Sequence, residues 1–176
     1  MPLSDVEIWN ELAAGKLSIT PPPTSERVSA SSIDLLLHPE LRVMAGKADC
    51  SGITVDPRAT KIMDLLGRFS KRETCTRGFK LHSGMFVIGK TLEVIKLPPN
   101  MAARIEGKSS LARLGLGVHI TAPTVIAGFE GRLVLEMINH GPFTLELTEH
   151  MPIAQLILEW LGSSSEGYHG QYQGQN

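Results

Sequence analysis

Residues 104–139 read RIEGKSSLARLGLGVHITAPTVIAGFEGRLVLEMIN, and the last part of this stretch decides the fold. Within 132–138 (RLVLEMI), a period of two puts Leu133, Leu135 and Met137 on one face and Val134, Glu136 and Ile138 on the other. That is a strand, too short and too strictly alternating for a core helix. The following Asn139-His140-Gly141-Pro142 reads as a hairpin turn. The preceding 107–115 (GKSSLARLG) reads as a tight, polar excursion after another strand, 102–106.

The same pattern extends outward in both directions. Short runs rich in β-branched and aliphatic residues occur at 33–37, 41–44, 79–82, 85–96, 118–121, 143–148 and 153–160, with turn residues between them. Many short strands with few helices predict a barrel or jelly-roll arrangement. Residues 4–14 predict one N-terminal helix: Ser4 and Glu7 have capping-box spacing, Ile8, Trp9 and Leu12 form an apolar stripe, and Gly15 follows as the stop. Residues 45–75 are rich in Gly, Asp, Lys and Arg and read as a surface excursion with a helical turn near 60–67. Residues 162–176 (GSSSEGYHGQYQGQN) have the composition of a flexible tail, apart from two tyrosines that a solvating tail does not need.

Composition narrows the function classes. The chain has 176 residues, 42% hydrophobic and 20% charged, which suits one soluble domain with a sizeable core. A net charge of −1 gives no polyelectrolyte footprint for nucleic acid. No apolar run reaches the ~20 residues of a membrane span, and the N-terminus lacks a signal-peptide pattern, so a cytoplasmic location is expected. Cys50 and Cys75 show no metal-ligand spacing and read as two free thiols.

Two features carry chemistry. The turn Gly107-Lys108-Ser109-Ser110-Leu111-Ala112-Arg113 offers backbone N–H groups, hydroxyls and cations suited to phosphate oxygens, without the spacing of a P-loop. The same residues also suit a short helix capped by Ser109 or Ser110, with Arg113 in a surface ion pair. Glu136 stands between Val134 and Ile138, where a carboxylate is costly unless paired and suits a proton shuttle. The bland alternative is an edge-strand glutamate facing water. His119 reads as a structural histidine bonded to backbone.

These residues resemble the dCTP deaminase family. Its pattern runs G-R-S-S-L-A-R-L-G-L, V-H-x-T-A, I-D-x-G-F-x-G and L-E-x-x-N. The chain matches it at 107–116, Val118–Ala122, Gly128–Gly131 and Leu135–Asn139, in order and in register. Ser32-Ile33-Asp34-Leu35, Ile153-Ala154-Gln155-Leu156 and Tyr172-Gln173-Gly174-Gln175 match further segments. The resemblance implies a mainly β protomer: a distorted jelly-roll or β-clip barrel of dUTPase-like type, with a short N-terminal helix and few other helical turns. It implies one deaminase domain over 1–161, a lid at 162–176, and a homotrimer with sites between subunits.

The resemblance further implies hydrolysis of dCTP to dUTP and ammonia, with feedback inhibition by dTTP. Mg²⁺ would arrive with the triphosphate, and zinc would not take part. Zinc-dependent deaminases pair H-x-E with P-C-x-x-C, and the second motif is absent. Carried over by residue, Glu136 shuttles protons, Ser109 and the Ala122 carbonyl hold the water, and Arg113 orients Glu136 and the base. Lys108, Ser109, Ser110, Leu111, Ala112 and Arg113 face the nucleotide, as do Ile126, Val134, Leu135, Gln155, Tyr168, Gln171 and Gln175. Three positions depart from the pattern: Lys108 for arginine, Gln171 for lysine, and Ile126 for the aspartate that serves the hydrolytic water or the sugar hydroxyl in dUTPases. The alternatives are a deaminase of another cytosine nucleotide and a non-catalytic nucleotide-binding homologue.

Overall fold

The computed structural model describes residues 1–46, 48–168, 170 and 173–174. It contains α1 (Asp5–Ala13), β1 (Ser18–Thr20), a 3-10 turn (Ser25–Arg27), β2 (Val28–Ser29), β3 (Ser32–Leu36), β4 (Glu40–Met44) and α2 (Ile62–Phe69). There follow β5 (Ser70–Thr74), β6 (Phe79–Leu81), β7 (Phe86–Lys96), β8 (Met101–Gly107), α3 (Ser109–Ala112) and β9 (Leu116–Gly117). β10 (Thr124–Val125), β11 (Glu130–Asn139), β12 (Leu145–Leu147) and β13 (Pro152–Trp160) complete the chain. One sheet runs β5-β4-β7-β11-β9 with β1 also on β7, the second runs β10-β8-β13-β3-β2, and β12 pairs with β6. The jelly-roll expectation holds, but the sheets do not close into a barrel.

Alternation decides what enters the core. β11 contributes Leu133, Leu135 and Met137 to one core cluster that also holds Val87 and Ile95 of β7 and Ile33, Leu35, Leu156 and Leu158 of the second sheet. At ~1.5–3 kcal/mol per fully buried aliphatic side chain, this face holds the sheets together. The expected helix forms with its capping box: Ser4 Oγ accepts from Glu7 N at 3.3 Å, and the Glu7 carboxylate accepts from Ser4 N at 2.8 Å.

β7 also sends two polar residues inward. Thr91 Oγ donates to the Glu93 carbonyl (2.8 Å) and accepts from Leu133 N (3.0 Å), beside the register shift between Arg132 and Val134. The Glu93 carboxylate, fully buried, pairs with Arg27 and accepts from Leu36 N at 3.1 Å. Arg27 also donates to the carbonyls of Asp34 and Pro22, so one guanidinium ties the 3-10 turn to both sheets.

Several local expectations are corrected. Asn139-His140-Gly141-Pro142 is not a hairpin, because β12 leaves β11 and pairs with β6. The Asn139 amide explains the departure: it donates to the carbonyls of Leu81 (2.9 Å) and Phe143 (2.7 Å) and accepts from Gly141 N (3.0 Å). Residues 118–121 are bend and coil, not strand. The 45–75 excursion returns as β5 on the edge of the first sheet, pairing Met44 with Ser70 through Glu40 with Thr74. Its helix, α2, forms as expected near 60–67, displaced by two residues toward the C-terminus, and buries none of its residues.

Gly141 packs directly beneath the Leu114 carbonyl, and a Cβ there would overlap that oxygen. Because the neighbour is backbone, no rotamer change relieves the clash. Gly141→Ala is therefore expected to cost about 1–3 kcal/mol, read as a lower urea midpoint. An unchanged midpoint would show that the 114–115 segment moves freely.

Candidate active site

β8 ends at Gly107 and hands the chain to α3 through Lys108, which is the N-cap and has extended backbone angles. The Lys108 carbonyl accepts from Leu111 N (3.0 Å) and Ala112 N (2.9 Å). The short-helix reading was right, but not its cap: neither Ser109 nor Ser110 caps it, and both remain exposed. Gly115, at φ +96, turns the chain into β9, which pairs Leu116 with Asn139 and Gly117 with Ile138. The hydroxyl-rich turn is thus tied to the Asn139 end of β11.

Glu136 lies on β11 opposite Ile88 of β7. β9 flanks β11 only at Ile138 and Asn139, so on its other side Glu136 lies along an open strand edge, as the bland alternative has it. It is half-buried on the outer face with Val134, Ile138 and Ile88, as the alternation predicts. Leu135 points the other way and is fully buried, so only its backbone could face a ligand. Among the described residues, the side chains of Ser109, Arg113 and Glu136 have no hydrogen-bond or ion-pair partner. Arg113 therefore does not orient Glu136 within one chain, nor does it form the expected surface ion pair.

Ile126 stands at the other end of β11 and is 52% exposed. Phe129 N donates to its carbonyl (3.1 Å), closing a turn through Gly128 at φ +80. The chain after β13 packs onto this turn rather than leaving it free. Ser165 N donates to the Pro99 carbonyl at 2.8 Å, and Gly167 lies over Gly128. Tyr168 meets Phe129 with ring centroids 6.1 Å apart. Gln173 donates to the Gly128 carbonyl and accepts from Glu130 N, both at 3.2 Å. Composition missed this docking because it is made by backbone and by an aromatic partner distant in sequence. Gln171 and Gln175 lie outside the described residues.

Lys108 and Gln155 do come together. The Lys108 ammonium pairs with Asp34, and Gln155 Nε2 donates to Asp34 Oδ1 (3.3 Å) and Ser32 Oγ (3.1 Å). Asp34 is a residue the site reading missed; its only sequence signal is its place in the Ser32–Leu35 match. Ala122 is exposed in the bend after β9. His119 is not bonded to backbone through Nδ1, which is buried without a partner among the described residues.

The chain does contain one H-x-E, His38-Pro39-Glu40, in the turn joining β3 to β4. Glu40 is paired with Lys90 at 2.9 Å, and His38 Nδ1 accepts from Glu40 N at 3.2 Å. The nearby Cys75 thiol is buried, and burial pushes its pKa up. Among the described residues, no group of three or more His, Cys, Asp or Glu is placed to hold a metal ion. Nor is any helix among them long and apolar enough to cross a membrane.

A jelly-roll carrying an unpaired outward carboxylate and a cationic, hydroxyl-rich turn defines a candidate hydrolytic site. The family described as dCTP deaminase-like matches residues 2–161. The chain belongs to the dCTP deaminase-like family. It is 38% identical to a dCTP deaminase of Rhodospirillum rubrum, over 93% of this chain and 84% of that one. It is 39% identical to a dUMP-forming dCTP deaminase of Streptomyces griseus, over 99% of this chain and 91% of that one. A solved 2'-deoxycytidine 5'-triphosphate deaminase from Agrobacterium tumefaciens superposes with a TM-score of 0.71 at 24% identity. That match covers 90% of this chain and 48% of the other, so this chain spans about half its length.

Proposed function

We propose that this protein hydrolyses dCTP to dUTP and ammonia, with Glu136 moving the protons. The observation that carries this reading is Glu136 itself: half-buried, outward and unpaired on an apolar sheet face, in a chain of the dCTP deaminase-like family. Water adds to C4 of the cytosine as Glu136 takes its proton and passes it to ring N3. Glu136 then relays the second proton from the added hydroxyl to the amino group. The C4–N4 bond breaks, ammonia leaves and the C4 carbonyl forms. Ser109 Oγ and the Ala122 carbonyl hold the attacking water, and Arg113 steadies the base and the carboxylate.

The full set of nucleotide-facing residues, Ile126 and Tyr168 included, calls for more than one copy of the chain. The turn at 109–113 is tied to the Asn139 end of β11, whereas Ile126 and Tyr168 sit at its Glu130 end. At ~3.3 Å per residue the strand separates those ends by about 30 Å, more than one nucleotide spans. A homotrimer with sites between subunits brings Ser109 and Arg113 of one copy to Glu136 and Ile126 of the next. Val134, Ile138 and Ile88 would lie in that interface. Mg²⁺ enters as part of the triphosphate substrate, the segment from 162 onward closes over bound nucleotide, and dTTP competes for the same site. The enzyme works in the cytoplasm. The product is dUTP rather than dUMP, because Ile126 offers no carboxylate for a second hydrolysis.

The test is turnover of dCTP, CTP and dCMP by the purified protein, following ammonia and product mass. One ammonia per dUTP, fastest from dCTP, is the expected result. Binding of dCTP without ammonia release would overturn the reading in favour of a non-catalytic homologue. Faster release from CTP or dCMP would overturn the choice of substrate.

A further inference from the structure

Lys108 and Gln155 are both nucleotide contacts in the reading above, and one carboxylate holds them both. Asp34 sits on β3 directly opposite Gln155 of β13, with Glu106 of β8 on the far side of Gln155. Its Oδ2 takes the Lys108 ammonium and its Oδ1 takes the Gln155 amide. The Lys108 and Asp34 side chains are 21% and 20% exposed, shielded enough to hold their geometry yet open to a ligand.

We propose that Asp34 is the positioning residue for phosphate recognition, a role that rests on the dCTP reading. An arginine carries its own planar fork, and a lysine is a point charge on a flexible stem. At Lys108 the missing geometry comes from Asp34, which fixes the ammonium in one rotamer before substrate arrives. The ammonium has three N–H donors, and the bond to Asp34 uses one. Two remain for phosphate oxygens. Asp34 also sets the orientation of Gln155, because a carboxylate oxygen accepts the amide N–H and repels the amide oxygen. With one amide hydrogen on Asp34 and the other on Ser32, Gln155 can offer a ligand only its carbonyl oxygen. That oxygen suits a donor such as a sugar hydroxyl, not a phosphate. The Lys-for-Arg departure is thereby compensated within the chain.

The test is a double-mutant cycle on the full-length protein, reading Kd for dCTP and dCMP by calorimetry alongside KM and kcat for dCTP. Asp34→Asn keeps the side-chain shape and removes the charge. It is expected to raise Kd and KM for dCTP about tenfold, the scale of one charge-assisted contact, with kcat changed by less than about twofold. The dCTP-to-dCMP affinity ratio should fall, because the lost contact serves the outer phosphates. Lys108→Met should lower the same ratio, and adding Asp34→Asn to it should change nothing further. Equal weakening toward dCTP and dCMP, or effects that multiply in the double variant, would make Asp34 a merely structural residue. Should Asp34→Asn fail to fold, Asp34→Glu carries the test: the charge, moved by one methylene, must lower the same ratio, and an unchanged ratio overturns the proposal. Failure of the dCTP reading would show separately, as absence of ammonia release by the unmodified protein.

Discussion

Glu136→Gln is expected to lower kcat for dCTP by about 10²–10⁴, the usual contribution of a general acid–base group, while dCTP still binds with nearly unchanged affinity. The substitution keeps side-chain volume on the outer face of β11 and removes the ability to take a proton from water. Because no partner within the described chain holds this carboxylate, the exchange breaks no intramolecular bond, and the fold should be retained. Single-turnover kinetics with calorimetry check both halves. A variant that turns over within about threefold of the parent would remove Glu136 from the chemistry.

Arg27→Met is expected to cost about 3–5 kcal/mol of folding free energy, the scale of breaking a buried ion pair from one side. The Glu93 side chain has no exposed surface and Arg27 has 13%. Without the guanidinium, the buried carboxylate keeps only the Leu36 N–H as a partner. The carbonyls of Asp34 and Pro22 also lose a donor. Urea denaturation should show the midpoint falling with little change in slope. Arg27→Met combined with Glu93→Leu should recover much of the loss, because no unpaired carboxyl group is then left in the core. A single-variant loss under about 1 kcal/mol would mean that water reaches Glu93.

The sequence made the central architecture legible because alternation is a local property. The period of two in 132–138 set both the strand and the side on which Glu136 emerges, and the structure keeps both. The capping box at Ser4 and Glu7 was legible for the same reason. What local pattern could not show is pairing across long separations. Asp34 lies 74 residues from Lys108 and 121 from Gln155, so nothing near any one of them announces the cluster. Glu93 falls on the inward face of a strand that was correctly placed, but its tolerance there depends on Arg27, 66 residues away. The turn residues at 139–142 promised a hairpin, and the Asn139 amide, bonded to Leu81 and Phe143, redirected the chain. The two-residue strands β2, β9 and β10 are too short for any periodicity to declare.

In the proposed reaction Glu136 directs water to C4 of the cytosine. The most direct test is turnover of dCTP in ¹⁸O-labelled water followed by mass spectrometry of the product. The expected product is dUTP carrying one ¹⁸O on the base, at the position the amino group left, with unlabelled phosphates and one ammonia released. Label on phosphate with the amino group retained would contradict that reaction, assigning the water to phosphate hydrolysis and Glu136 to another role.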